Sequence, residues 1–179
     1  MSRILIPYAT TEGQTAQIAE VIAVVLRERG HDADHVDLTK LGDIPDGYNA
    51  VIIGASIHMG KHDKHALEFV RKNLDTLVRL PSAFFSVSLA AHGDRDEAEG
   101  YVDQFEEESG WRPDKIALFG GALLYTKYGF IKRHMMKKIA ADKPGDLGLD
   151  LSRDYVYTEW DAVKRFAEHF AEQLETTPA

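Results

Sequence analysis

Two patterns of apolar residues alternate along the chain: short β-rich runs, and longer stretches in which apolar positions recur every three or four residues. Arg3–Tyr8 is the first run. Gly13–Arg29 follows as an amphipathic helix with Ile18, Val21, Ile22, Val25 and Leu26 on one stripe. Gly30 stands just beyond it, where a helix end favours a residue at ease with positive φ. Asp32–Asp37 is a weaker second strand. Ala50–Gly54, centred on Val51-Ile52-Ile53, is a third, apolar on both faces as a buried parallel strand is. His65–Val78 is a helix with Ala66, Phe69, Val70, Leu74 and Leu77 on one side. Ser82–Leu89 is the fourth strand, Arg95–Ser109 an acidic helix, and Lys115–Leu123 the fifth strand. Ala162–Leu174 is the last helix, turning Val163, Phe166, Ala167 and Phe170 inward. This order predicts a three-layer α/β fold: a five-stranded parallel sheet with helices on both faces, joined by right-handed crossovers. One domain spanning 1–179 is expected. Tyr125–Asp154 breaks the rhythm as an insertion between the fifth strand and the last helix, longer than ordinary connections.

Composition narrows the chemistry. The chain has no cysteine, so disulfides, iron–sulfur clusters, thiolate zinc sites and cysteine nucleophiles are excluded, in keeping with a reducing cytosol. Met1–Arg3 leads straight into Ile4-Leu5-Ile6, which is too short for a signal peptide. No apolar stretch approaches the roughly 20 residues of a spanning helix. A net charge of −8 argues against nucleic acid as a partner. The charge is uneven. Lys127, Lys132, Arg133, Lys137 and Lys138 crowd Tyr125–Ala141, which holds no acidic residue, while Asp94, Asp96, Glu97 and Glu99 follow the fourth strand.

Directly after the first strand, Thr10-Thr11-Glu12-Gly13-Gln14-Thr15 opens the first helix. Helix N-termini present unpaired N–H groups and partial positive charge, so such a segment suits an anion. Hydroxyls at Thr10 and Thr15 add donors, and Gly13 allows close backbone approach. With neither a P-loop lysine nor a GxGxxG, the loop fits a phosphomonoester held by neutral donors. A plain threonine-rich helix cap is the competing reading, but ligands of open α/β sheets bind at the carboxyl ends of the strands, where this loop stands.

The loop resembles the flavodoxin pattern [ST]-x-T-G-x-T at Thr10, Gly13 and Thr15, with Glu12 in place of the middle threonine and its side chain expected to turn to solvent. The resemblance implies a flavodoxin-like fold with FMN, its phosphate on Thr10–Thr15. The flavin ring would lie between Ser56-Ile57-His58-Met59-Gly60 and Leu89-Ala90-Ala91-His92-Gly93. These loops hold no Trp or Tyr, only His58, Met59 and His92, which leaves a ring face open for a planar substrate or quinone. His58, His62 and His65 match no zinc spacing, so no metal is expected.

Within the insertion, Phe130, Ile131, His134, Met135 and Ile139 share a helical face, with most of the basic residues opposite. Such a helix packs on its own domain with a solvated edge, or meets an acidic ligand or an anionic membrane. Across nearly its whole length the chain resembles the flavodoxin-type, menaquinone-dependent protoporphyrinogen IX dehydrogenases. Glu12–Thr15, Val51–Ile57 with Gly60 and His62, Pro81–Val87, Trp111–Asp114, Gly121–Leu123 with Tyr125, and Val156–Trp160 carry the likeness, together with the basic-aromatic insertion. The resemblance implies an FMN enzyme that oxidises protoporphyrinogen IX and passes electrons to menaquinone or another quinone. No side chain is assigned as catalytic, because the flavin carries the redox step. Lys127, Lys132 and Arg133 are the expected anionic contacts to the substrate, and Tyr125, Tyr128 and Phe130 the apolar ones. The expected location is the cytoplasm, with peripheral contact at the cytoplasmic face of the membrane, and a homo-oligomer is left open. A soluble electron carrier without its own substrate, or a quinone reductase, are the alternatives.

Overall fold

The computed structural model describes residues 1–176; positions 177–179 of the expected single domain lie outside the described residues. The elements run β1 (Arg3–Ala9), α1 (Gln14–Glu28), β2 (Asp32–Asp37), β3 (Ala50–His58), β4 (Lys61–His62), α2 (Lys64–Lys72), α3 (Leu74–Leu77) and β5 (Ser82–Ser88). They continue as α4 (Ala90–Gly93), α5 (Arg95–Ser109), β6 (Lys115–Gly120), β7 (Ala122–Leu124), α6 (Phe130–Asp142), β8 (Asp154–Val156) and α7 (Trp160–Thr176). Five parallel strands form the main sheet in the order β2-β1-β3-β5-β6, and the two-residue β4 pairs antiparallel with β3.

The central strands bury both faces, and successive residues point to opposite sides of the sheet. Ile52 and Phe85 join Ile18, Ile22, Leu26, Val163 and Phe170 under α1 and α7. Val51, Ile53 and Phe84 join Phe69, Val70, Phe105 and Trp111 under α2 and α5. Three layers result, as the pattern predicts.

Three expectations change. The third strand continues past Gly54 to His58 and folds back through Met59-Gly60 onto β4. The helix expected over His65–Val78 breaks at Asn73, whose side chain accepts from Ile44 N–H and donates to the Phe69 carbonyl. The fifth strand stops at Gly120, and after Gly121 the chain leaves the main sheet as β7 to pair antiparallel with β8. That small ribbon is the stalk of the insertion. Leu123, Leu124, Tyr125, Tyr128, Ala140 and Leu147 form a separate small core there.

Candidate active site

The sheet reverses direction beside β1, since the chain passes from β1 to β2 on one side and returns to β3 on the other. The register keeps the carboxyl ends of the central strands level: Ala9 pairs with Ala55, Ser56 with Val87, and Ser88 with Gly120. The loops leaving β1, β3 and β5 therefore open onto one crevice, the place where sheets of this kind bind ligands. A cavity of about 440 Å³ occupies it.

One wall is the start of α1. Gly13 has φ 97°, a left-handed conformation that strains any residue with a Cβ, and its N–H donates to Thr10 Oγ1 at 2.9 Å. No side chain caps α1 and its first turn holds no acid. By contrast, Asp63 caps α2 by accepting from His65 N–H, and Asp94 caps α5 by accepting from Glu97 N–H. The first N–H groups of α1 are thus left for an anion, and Thr10, Thr11, Glu12, Gln14 and Thr15 all line the cavity. Gln14 anchors this wall: its side-chain amide donates to Thr158 Oγ1 at 2.8 Å, and the Thr158 hydroxyl donates to the Gly120 carbonyl.

Ser56, Ile57, His58, Met59 and Gly60 form a second wall, with Met59 strained at φ 50° and largely exposed. His62 fixes the base of this hairpin. Its Nε2 lies 2.7 Å from Ser86 Oγ, its ring packs edge-on to Phe84 and Phe105, and burial lowers its pKa to about 4. The three histidines diverge: His58 lines the cavity, His62 meets Ser86, and His65 pairs with Asp63. Among the described residues no group of three or more His, Cys, Asp or Glu is placed to hold a metal ion.

The third wall departs from expectation. Leu89 and Ala90 line the cavity, but Ala91, His92 and Gly93 do not. His92 packs on Tyr157 at 4.5 Å between ring centroids. Gly93 meets the returning end of the insertion so closely that a Cβ there would stand 2.4 Å from Gly145 Cα. The turn packs against the insertion.

The insertion also supplies a roof that its apolar pattern does not suggest. Lys132, Met135, Met136 and Ile139 form one stripe of α6, and they line the cavity together with Lys143, which follows the helix. Phe130 and Ile131, which share the expected apolar face, are 76% and 82% exposed, and Phe130, an expected apolar contact to the substrate, does not line the cavity. The helix is rotated because Arg133 donates to the carbonyls of Tyr125 and Tyr128, holding the turn before it. Arg133 is therefore engaged with backbone. Tyr125 is fully buried, donating to the Gly148 carbonyl, and neither residue reaches the cavity.

Glu12 does not turn to solvent. Its carboxylate accepts from the Tyr128 hydroxyl at 2.8 Å and from the Lys132 ammonium, which also lies over the Tyr128 ring. Tyr128 and Lys132 thus stand at the cavity, while Lys127 opens onto a smaller adjoining cavity of about 280 Å³ shared with Thr11, Glu12 and Lys132. Tyr101, from α5, is a lining residue that the motifs do not reveal.

The flavodoxin domain family matches residues 5–147. A protein of Escherichia coli (strain K12) named "Protoporphyrinogen IX dehydrogenase [quinone]" is 36% identical over 171 residues, covering 93% of each chain. The chain belongs to this family of flavodoxin-domain protoporphyrinogen IX dehydrogenases. A Leishmania major relative of the same name is 35% identical over 181 residues, covering 93% of this chain and 74% of the relative. Among solved structures, oxidised flavodoxin 1 from Bacillus cereus aligns with a TM-score of 0.57 at 16% identity, over 99% of this chain and 100% of that one. A WrbA-like protein from Agrobacterium tumefaciens aligns with a TM-score of 0.57 at 11% identity, over the same shares. At these identities the structural likeness establishes the fold. The uncapped N-terminus of α1, the strand-end loops and the cavity all fit the flavin of a flavodoxin domain.

Among the described residues no helix is long and apolar enough to cross a membrane.

Proposed function

We propose that this protein binds FMN and oxidises protoporphyrinogen IX, with a quinone as the electron acceptor. The observation that carries the proposal is the roof: an α6 stripe of lysine, methionine and isoleucine lying over a flavin-sized crevice. The relatives' shared name supports the same substrate and acceptor.

FMN rather than a dinucleotide suits the start of α1, where N–H groups and threonine hydroxyls cluster at a single phosphate-sized point. Thr10 Oγ1 already accepts from Gly13, so its own proton is available to the phosphate. When bound, FMN would supply the redox chemistry, two-electron hydrogen transfer from the porphyrinogen to a quinone, repeated three times for each porphyrin formed.

The chain's own groups bind and orient. Met135, Met136 and Ile139 offer a polarisable apolar surface to a flat macrocycle, and thioethers adapt to such shapes. Lys127 and Lys132 face the smaller cavity, which accepts the carboxylates of a substrate lying across both spaces. Exposed Phe130 and Ile131, with Lys127 nearby in sequence, form an outer face suited to peripheral contact with a quinone-bearing membrane.

The test is anaerobic. Protein reconstituted with FMN is mixed with protoporphyrinogen IX and the flavin absorbance is followed, then a menaquinone analogue is added. Bleaching followed by recovery is the expected result. A flavin that stays oxidised in the presence of the porphyrinogen overturns the proposal.

A further inference from the structure

The roof is held at its far end by a contact that the flavin site does not use. Lys143, the residue that closes α6, donates to Glu97 Oε2 at 2.6 Å, and Tyr101 donates its hydroxyl to Glu97 Oε1 at 2.6 Å. Glu97 belongs to the acidic segment after β5 and sits in the first turn of α5. Lys143 and Tyr101 both line the cavity, whereas Glu97 does not.

This arrangement repeats the chemistry at the other end of α6. There the carboxylate of Glu12 accepts from a tyrosine of the insertion and from Lys132. One acidic residue of the α/β domain therefore holds each end of the roof, and each holds one lysine and one tyrosine. Between them α6 is held by Arg133 on the Tyr125 and Tyr128 carbonyls and by Met136 and Ala140 on the small core, Ala140 being its one buried residue.

The two clamps differ in what they touch. Glu12 stands in the loop that faces the phosphate, so a change there disturbs cofactor and roof together. Glu97 lies on the opposite side, near the tight approach of Gly93 to Gly145. The Lys143 ammonium, and after it the Tyr101 hydroxyl, lower the pKa of its carboxyl, as two donors to a carboxylate do.

We propose that Glu97 is a positioning residue: by holding Lys143 and Tyr101 together it seats the C-terminal end of the roof over the flavin, and so governs capture of the porphyrinogen. The inference rests on the function proposed above. It assigns a role to the acidic segment after β5, which complements a lysine of the same chain.

The experiment compares the FMN-loaded wild type with Glu97→Gln, Glu97→Asp, and the exchanged pair Glu97→Lys with Lys143→Glu. Three quantities are read: the FMN dissociation constant, hydrogen exchange of the amides over 136–147, and KM and kcat for protoporphyrinogen IX under anaerobic turnover. Glu97→Gln is expected to exchange faster over 136–147 and to raise KM roughly tenfold, the scale of one lost charge-assisted hydrogen bond. Its kcat and its FMN affinity are expected to stay within about twofold. Glu97→Asp is expected to recover most of the protection and most of the KM, and the exchanged pair most of the protection. Unchanged exchange in Glu97→Gln, or an exchanged pair no better protected than the single variant, overturns the inference. Hydrogen exchange is read without substrate. If the wild type fails to oxidise the porphyrinogen while exchange responds as expected, it is the proposed substrate that falls, not the clamp.

Discussion

Helices α1 and α6 border the same cavity and are of similar length, yet they are held in opposite ways. Eight residues of α1 are buried, among them Ile18, Ile22 and Leu26, which are fully excluded from solvent against the sheet. On α6 the buried set is Ala140 alone, and polar contacts fix the helix: Lys132 on Glu12, Arg133 on the Tyr125 and Tyr128 carbonyls, and Lys143 on Glu97. Apolar burial is cooperative and non-directional, and it makes one side of the site a rigid cradle. A few partly exposed polar contacts add little stability but set position. The difference suits the proposed function: a rigid wall serves a tightly bound cofactor, and a lightly held one serves a bulky substrate that must enter and leave.

The largest effect that can break this comparison lies in the sheet. Phe85 is fully buried between β5 and the α1–α7 layer. Phe85→Ala is expected to cost about 3–5 kcal/mol in urea unfolding and to weaken flavin retention with it. A loss under about 1 kcal/mol would mean that burial is not what holds the cradle.

The hairpin beside the cradle is sensitive to pH. Burial lowers His62 from 6.5 to about 4, so between those values the unfolded chain takes up a proton that the folded protein refuses. Stability contributed by this site therefore falls as pH drops from about 6.5 and levels off below about 4, a span worth about 3 kcal/mol. Denaturant titrations of wild type and His62→Gln at pH 7 and pH 4 check it: the gap between the two proteins is expected to shrink at the lower pH.

On the roof side, Lys132→Met is expected to change unfolding free energy by less than about 1 kcal/mol, because its ion pair with Glu12 is partly exposed. Flavin affinity is expected to fall roughly tenfold, since the Glu12 carboxylate is then left uncompensated beside a bound phosphate. Titration of FMN fluorescence measures it. The smallest stability effect is expected at the outer face, where Phe130→Ser with Ile131→Ser should lie within about 0.5 kcal/mol of wild type. Sedimentation with anionic vesicles should nevertheless fall for that pair.

The same contrast explains what could be read from the sequence. Strands, helices and the Thr10–Thr15 loop rest on neighbours within one element or one turn, so hydrophobic period and local chemistry reveal them. The Gly13 turn is closed by Thr10, three residues away. The roof depends on partners that no local pattern joins: Tyr128 meets Glu12 across 116 positions and Lys143 meets Glu97 across 46. For that reason Glu12 reads from the sequence as a solvent-facing substitution, and Phe130 as an apolar contact to the substrate. Tyr125 and Arg133 were legible as insertion residues with ligand chemistry, but the small core around Tyr125 and the carbonyls beneath Arg133 claim them first. Ala91, His92 and Gly93 do not line the cavity, and Gly93 packs instead on Gly145, a contact visible only once the insertion is folded back.

The most direct measurement compares wild type with a roof variant, Met135→Asp with Met136→Asp, after loading both with FMN. Each is mixed anaerobically with protoporphyrinogen IX, and the rate of flavin bleaching is recorded beside the FMN dissociation constant. The account predicts that wild type bleaches, and that the variant keeps its flavin but bleaches at least about a hundredfold more slowly, as expected when apolar contact is replaced by two unpaired charges. A wild type that does not bleach, or a variant that bleaches as fast, would contradict it.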